Sequence, residues 1–200
     1  MKKLLTLILC LSLVFVLSGL LPVHGEAEIY DKVIRLHVVA NSDSEQDQAL
    51  KLAVRDAVIE SQRLICADCV TTEQARAALS SRLGDIKLCA TEEIRRQGYD
   101  YPVRVILGDE SYPTRSYGAL CFPSGEYLSL RVLIGEAEGQ NWWCVLFPPL
   151  CLSAASSVSG NQDAFVSVGL TPEQYKVITE SDDPVYQARF KILEVLDDLF

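Results

Sequence analysis

Hydrophobic positions follow two different periods in the first half of the chain, and each period predicts a different element. Apolar and polar residues alternate over Ile34–Val38, which predicts a β-strand that Asn41–Ser44 ends. After Ser44, apolar residues recur at intervals of three and four positions. This spacing predicts a helix that begins with a capping box of Ser42 and Glu45 and runs to about Ile65. Its predicted buried stripe consists of Leu50, Ala53, Val54, Ala57 and Val58. Its predicted water-facing residues are Lys51, Arg55, Asp56 and Glu60.

A second helix is predicted from Thr72 to about Gln97. Thr71 and Gln74 have the spacing of a capping box, and Gly98 is the residue type that most often ends a helix. The inner face of this helix is predicted to contain Ala75, Ala78, Leu79, Ile86, Cys89 and Ile94.

Alternating patterns return after the second helix and predict a run of strands. These strands cover Tyr101–Leu107, Thr114–Phe122, Tyr127–Ile134 and Trp142–Leu146, with turns at 108–110 and 123–125. A Ser-rich segment, 153–171, is predicted to be a flexible loop, and Pro184 precedes a predicted C-terminal helix, Val185–Phe200. The whole order predicts an α+β fold: an N-terminal strand, two helices, a mostly antiparallel run of strands and a C-terminal helix.

The first 25 residues have the composition of an export signal. Lys2 and Lys3 precede an apolar run from Leu4 to Leu21, and short side chains follow Pro22. Residues 26–200 are therefore predicted to form a single extracytoplasmic domain. The apolar run is close to the minimum length of a membrane span, so the leader is either cleaved or retained as an anchor.

The charge balance disfavours two classes of partner. The chain has 18 basic and 27 acidic residues, a formal net charge of −9, and both leader lysines add to the basic count. No run of Lys or Arg alternates with aromatic residues. Binding to nucleic acid or to an anionic membrane surface needs clustered cations, so neither is predicted.

Six cysteines follow the leader, and an even number in an exported chain predicts disulfides. They are Cys66, Cys69, Cys89, Cys121, Cys144 and Cys151. The sequence favours no pairing among them. The C-x-x-C at Cys66 and Cys69 lies between two helices instead of after a strand, which favours a structural bond or incidental placement over redox catalysis. A zinc site that adds Cys144 and Cys151 is disfavoured because the second pair is widely spaced.

His37 is the candidate for a general base, since the other histidine, His24, lies in the leader. Asn41, Ser42 and Asp43 follow it closely, but a Gly-x-Ser-x-Gly elbow is absent. A single histidine on a strand is more often a hydrogen-bonded structural residue. The sequence therefore predicts no catalytic residue and no cofactor, and an exported hydrolase-like enzyme that uses His37 is the alternative.

Both tryptophans of the chain, Trp142 and Trp143, stand together before Pro148 and Pro149. Neighbouring side chains on a strand point to opposite faces, so one tryptophan is predicted to pack in the core while the other is exposed. An exposed tryptophan is typical of a binding surface.

Several segments resemble the stage II sporulation protein R family. The first two are 34–44 and 47–58, and the others are 117–118, 122–127, 130–136, 189–193 and the unusual stretch 139–151, G-Q-N-W-W-C-V-L-F-P-P-L-C. Together they cover most of the chain after the leader, whereas residues 153–183 carry no part of the resemblance.

The resemblance implies an exported signalling protein and no enzyme. In that family, the forespore exports the protein into the space between two septal membranes. There it triggers a membrane-embedded aspartic-type protease of the mother cell, which processes the precursor of sigma E. The resemblance supplies no catalytic residues. It leaves as candidate partner contacts Trp142, Trp143, Asn141, Phe147, His37, Asn41 and Asp43. A structural envelope protein is the remaining alternative.

Overall fold

The computed structural model describes Lys3, residues 29–117 and 120–149, Leu170 and Ile178. Within this part the chain has helices and a mixed sheet, so the predicted α+β class is confirmed. The helices are α1 Glu45–Ile65, α2 Thr72–Ser81 and α3 Leu83–Arg96. The strands are β1 Ile34–Val39, β2 Val103–Tyr112, β3 Arg115–Tyr117, β4 Leu120–Phe122, β5 Gly125–Ile134 and β6 Asn141–Phe147.

The main sheet has the strand order β2-β5-β1-β6, so the first strand of the chain lies between two later ones. β1 is parallel to β5 and antiparallel to β6, whereas β2 is antiparallel to β5. A parallel pair needs a long crossover connection, and the helices lie within the segment that joins β1 to β5. The central place of β1 explains why nearly all of its residues are buried.

The second predicted helix is divided in two, which corrects the prediction of one helix from Thr72 to Gln97. α2 ends at Ser81 and α3 begins at Leu83, because Arg82 departs from helical geometry at φ −121° and ψ 20°. The hydroxyl of Ser81 donates to the carbonyl oxygen of Ala78 at 2.9 Å, a local bond that competes with the regular helix. The predicted ends are confirmed, with a capping box at the start of α2 and Gly98 at φ +86° after α3.

The first helix is capped by Ser44. This corrects the prediction of a capping box at Ser42. The Oγ of Ser44 accepts a hydrogen bond from the backbone N–H of Asp47 at 3.2 Å. The Oγ of Ser42 instead donates to the Asp47 carboxylate at 2.6 Å. Lys51 was predicted to face water but is 5% exposed, because its Nζ donates to the carbonyl oxygen of Gln140 at 3.0 Å.

The turn predicted at 108–110 is wrong, because these residues continue β2 and pair with 127–129 of β5. β2 is an edge strand, where glycine and charged residues are tolerated. The single strand predicted over Thr114–Phe122 is instead the pair β3 and β4, which form a separate two-stranded sheet. We call this pair the β3–β4 hairpin.

One face of the main sheet packs against the helices. Alternate residues of the central strands point to this face and join apolar residues of α1 and α3 in the core. The sheet supplies Leu36, Val38, Leu130, Val132 and Ile134, and the helices supply Leu50, Val54, Val58, Ile86 and Ile94. The predicted buried stripe of α1 is confirmed for its large residues, Leu50, Val54 and Val58. Ala53 and Ala57 are only partly buried.

Several predictions concern residues outside the described part: the leader 1–25 apart from Lys3, most of the loop 153–171, and the C-terminal helix 185–200. Leu170 and Ile178 are buried in the core at 3% and 0% exposure. Among the residues that the structure describes, none of the helices combines the length and the apolar character needed to cross a membrane.

Candidate functional site

The second face of the main sheet is polar and lies beneath the β3–β4 hairpin. We call it the hairpin face. The strand register places on it Arg35, His37, Glu110, Ser129, Arg131, Asn141 and Trp143. Two rings of the hairpin, Tyr117 and Phe122, lie 5.6 and 5.2 Å from the guanidinium carbon of Arg35. The chain therefore has a partly covered polar surface opposite its helices.

His37 lies in the middle of the hairpin face, and both of its ring nitrogens have partners. Nδ1 is 2.9 Å from Oε1 of Glu110, and Nε2 is 2.9 Å from Oδ1 of Asn141. The side chains of His37 and Glu110 are 12% and 18% exposed. Neither partner is a hydroxyl or a thiol, so the described residues contain no Ser–His or Cys–His pair at His37.

Glu110 is the partner of His37 that sequence reasoning missed, because Asp109 and Glu110 were predicted to form a solvated turn. Burial would raise the pKa of Glu110. The hydrogen bond to His37 outweighs that effect, with help from nearby Ser129 and Arg131, and holds the pKa below its ordinary value of 4.5. The group is therefore a carboxylate at neutral pH, fixed beside an imidazole.

The two tryptophans point to opposite faces of β6, as the strand geometry predicted. Both are half-buried, so the prediction of one core and one exposed tryptophan is wrong. Trp143 is half-buried on the hairpin face, with its ring centroid 5.4 Å from that of His37 and 4.0 Å from the guanidinium carbon of Arg115. Trp142 lies on the helix side, 4.7 Å from the guanidinium carbon of Arg55 in α1. A partner that approaches one sheet face therefore reaches only one tryptophan.

Arg35 is a second residue that sequence reasoning missed, and it is fully buried at 0% exposure. Its guanidinium carbon lies within 4.4 to 5.6 Å of the ring centroids of Tyr112, Tyr117, Phe122 and Tyr127. Nε donates to the carbonyl oxygen of Cys144 at 3.3 Å, and Nη2 donates to the hydroxyl of Tyr117 at 2.9 Å. Cation–π contacts and neutral acceptors therefore surround a buried charge.

Asn41 and Asp43, two predicted contact residues, hold together the loops that frame the hairpin face. Oδ1 of Asn41 accepts from the backbone N–H of Glu136 at 3.1 Å, and Oδ1 of Asp43 accepts from that of Gln140 at 2.8 Å. A Cβ at Gly139 would collide with the backbone of Ser42, so the two loops touch directly. The structure gives Asn41 and Asp43 a positioning role for the start of β6.

Phe147 and Asn141 differ in accessibility. Phe147 is 4% exposed and belongs to the core, so it offers no surface to a partner in this structure. Asn141 is exposed at the start of β6, with its amide oxygen against His37. Of the predicted contact residues, the hairpin face thus brings together His37, Asn141 and Trp143 and leaves the others elsewhere.

Asp47 gives the fold a pH dependence that can be measured. Burial would raise its pKa, but hydrogen bonds from Ser42 and Asn41 outweigh burial and hold the pKa below 3.8. A lowered pKa stabilises the folded state above the unfolded pKa, and this stabilisation is lost as the pH falls through the folded value. We therefore expect the free energy of unfolding to decrease as the pH is lowered below about 4.

Denaturant unfolding at pH 7 and pH 3 tests this expectation. Asp47→Asn should lower the free energy of unfolding by about 2 kcal/mol at pH 7 and by clearly less at pH 3, because it removes charge-assisted hydrogen bonds. Asp100→Asn, at an exposed position, is the matched control and should change little at either pH. An equal loss at both pH values for Asp47→Asn would contradict the role of its ionised form.

The cysteines divide into two groups. Cys66, Cys69, Cys89 and Cys121 are free thiols in the structure, whereas Cys144 is disulfide-bonded. Burial raises the pKa of the Cys66 thiol to about 11, and hydrogen bonding with Cys69 adds to this effect. Because the thiolate is the reactive form, Cys66 is poorly suited to redox catalysis at neutral pH. The pairing of the candidate disulfides stays a prediction.

An open cleft of about 400 Å³ lies away from the hairpin face, near the start of α2. It is lined by Tyr30, Asp31, Thr72, Glu73, Arg76, Asp109, Glu126 and Leu128. In the part of the chain that the structure describes, no three His, Cys, Asp or Glu side chains are grouped to hold a metal ion. The hairpin face therefore remains the arrangement with the most distinctive chemistry.

Comparison with known proteins identifies the relatives of this chain. A family model described as "Stage II sporulation protein R (spore_II_R)" matches residues 30–157. The stage II sporulation protein R of Bacillus subtilis (strain 168) is 34% identical over 225 residues, and the alignment covers 100% of both chains. No solved structure gives a significant match. The residues of the hairpin face lie inside the matched region, and the chain belongs to the stage II sporulation protein R family.

Proposed function

We propose that this chain is an exported signalling protein of sporulation. In the proposal it acts in the space between forespore and mother cell, where it binds the extracytoplasmic part of a membrane-embedded aspartic-type protease of the mother cell. The activated protease then processes the precursor of sigma E. Family membership carries the proposal, since a family model covers residues 30–157 and a curated relative aligns along the whole chain.

A binding protein of this kind acts by shifting a conformational equilibrium of its receptor. It must bind the active form of the protease more tightly than the inactive form, and the difference in binding free energy sets the degree of activation. A hundredfold preference shifts the ratio of active to inactive receptor by the same factor. The signalling protein needs a shaped surface for this task and no reacting groups.

The hairpin face supports this mode of action. Trp143 is half-buried beside His37 and Arg115, so it presents an aromatic side chain in a fixed setting of polar groups. Tryptophan and arginine are the residue types most enriched at binding hot spots. We place the main receptor contact at Trp143, with His37 and Asn141 at its edge.

Deletion of the gene in the native host, scored for cleavage of the sigma-E precursor, tests the proposed function. We expect precursor cleavage to stop in the deletion strain and to return when the wild-type chain is supplied. The His37→Ala variant should restore precursor cleavage only in part, because Glu110 and Asn141 lose their hydrogen-bond partner beside the contact surface. Normal cleavage in the deletion strain would refute the proposal and favour a structural envelope protein.

One observation favours an enzyme as the second candidate. The His37–Glu110 pair, at 2.9 Å, is an imidazole oriented by a carboxylate, which is the arrangement of a general base. Purified chain without its leader should then turn over a substrate, and His37→Ala should abolish the turnover. Binding of the protease without any turnover by the purified chain would instead support the signalling role.

A further inference from the structure

In the part of the chain that the structure describes, three buried or half-buried arginines around the hairpin face form no ion pair with a carboxylate, although Arg131 lies near enough to Glu110 to lower its pKa. Arg35 and Arg131 lie on β1 and β5, and Arg115 lies on the β3–β4 hairpin. Within the described residues, none of the three has a carboxylate oxygen within 4.0 Å. The exposed Arg76, Arg95 and Arg104 also have none, whereas the other half-buried arginine, Arg55, is paired with Asp56 at 2.7 Å. Glu110, the carboxylate that the register of the described strands places on this face, is paired with His37. We call Arg35, Arg115 and Arg131 the arginine cluster.

The cluster also contains hydrogen-bond donors that are buried without a partner. These are Nη1 of Arg35, Nε of Arg115 and Nε of Arg131, and the neighbouring Oε2 of Glu110 is unpaired as well. All buried side-chain nitrogen and oxygen atoms left unpaired in the described part belong to these four residues. A buried donor without an acceptor costs about 1–3 kcal/mol, and more if it is charged. Unpaired groups of this kind are rare, and those on the half-buried Arg115 and Arg131 lie where a bound ligand supplies acceptors.

The charge of the cluster contrasts with that of the whole chain. The chain carries a net charge of −9, yet among the described residues of the hairpin face and its hairpin the arginines outnumber the carboxylate, Glu110, which is paired with His37. Such a local excess of positive charge attracts an anionic ligand by electrostatic complementarity. The guanidinium group presents paired donors that match the two oxygens of a carboxylate.

We infer that the arginine cluster binds a carboxylate of an acidic peptide segment in the partner that this chain activates, an inference that rests on the proposed function. Arg115 and Arg131 are half-buried and contact the carboxylate directly. Trp143 lies under the guanidinium of Arg115 at 4.0 Å and supplies the apolar floor beside the bound segment. A peptide is favoured over an anionic bilayer, because the remaining surface of an acidic chain is repelled by such a bilayer.

Arg35 has a different part in the site. It is fully buried, so it does not touch the ligand, and it acts as a positioning residue for the hairpin through Tyr117. Its charge also adds to the positive potential at Arg115 and Arg131. The direct contacts are therefore tested at Arg115 and Arg131, and Arg35 is tested separately through the stability of the fold.

Binding of synthetic peptides that cover the partner's extracytoplasmic segments tests the inference, with the folded chain lacking its leader as the receptor. We expect one acidic peptide to bind and its Asn/Gln counterpart to bind at least 10-fold more weakly. Arg115→Gln and Arg131→Gln should each weaken binding of the acidic peptide by about 10- to 100-fold. Arg95→Gln, which removes the same charge from an exposed position on α3, is the control and should change binding less than threefold.

Two further arms keep the inference separate from the proposed function. Arg131→Lys retains the charge but loses the paired donors, so its affinity for the acidic peptide should lie between that of Arg131→Gln and that of the wild-type chain. If both glutamine variants are folded and bind the partner as wild type does, the inference is wrong while the signalling role stands. Loss of binding to phosphatidylglycerol vesicles in these variants, with peptide binding unchanged, would equally overturn it. Failure of the wild-type chain to bind its partner at all would refute the proposed function itself.

Discussion

Replacing Trp143 by alanine is expected to weaken binding of the chain to the protease's extracytoplasmic part by about 100-fold, or about 2.7 kcal/mol. The change removes the half-buried aromatic surface of the hairpin face and the ring on which Arg115 rests at 4.0 Å. Both effects act on the same contact. Titration of the purified receptor segment against wild-type and variant chains measures the loss, and thermal unfolding verifies that the variant is folded.

Trp142→Ala is the matched control for this experiment. It removes the same side chain one residue away, on the helix side of β6 where Arg55 covers it. We expect less than a threefold change in affinity and a loss of fold stability similar to that of Trp143→Ala. Equal losses of affinity in the two variants, or a larger loss for Trp142→Ala, would contradict the assignment of the hairpin face as the docking surface.

Arg35→Ala is expected to lower the free energy of unfolding by about 4 kcal/mol, the range found for large buried side chains replaced by alanine. The change leaves a cavity under the rings of Tyr112, Tyr117 and Phe122 and removes the donor to the carbonyl oxygen of Cys144. Denaturant unfolding of the purified chain measures the effect.

Arg35→Met separates the volume of this side chain from its charge. Methionine refills most of the space without a buried cation, so the loss should be about half that of Arg35→Ala. The β3–β4 hairpin should then remain in place but with a weaker positive potential at Arg115. A loss as large as that of alanine would show that the cation–π contacts themselves stabilise the hairpin, contrary to this expectation.

Local patterns were sufficient to predict the elements with regular periodicity. β1 and α1 have the predicted extents within a residue or two, because a buried strand and an amphipathic helix each repeat one spacing along the sequence. The division at Arg82 was missed because the apolar period runs through it without a change. The turn predicted at 108–110 failed because pairing with β5 outweighs the turn propensity of Gly108 and Asp109.

The site was only partly predictable, for a related reason. Trp143, Asn141 and His37 stood out by residue type, and strand alternation correctly separated the two tryptophans. Arg35 and Glu110 did not, because their roles depend on contacts with residues 73 to 109 positions away along the chain. The pairing of β1 with β6 brings Cys144 to Arg35, and the pairings of β1 and β2 with β5 bring Glu110 to His37. No local pattern indicates these long-range pairings.

The most direct test of the proposed role is cleavage of the sigma-E precursor in a non-sporulating bacterium that produces the protease and the precursor. We expect cleavage when the chain is supplied with its leader and exported. The leaderless chain, kept in the cytoplasm, and exported Trp143→Ala should give little cleavage. Cleavage of the precursor to the same extent without the chain, or with the leaderless chain, would contradict an extracytoplasmic ligand that activates the protease by binding.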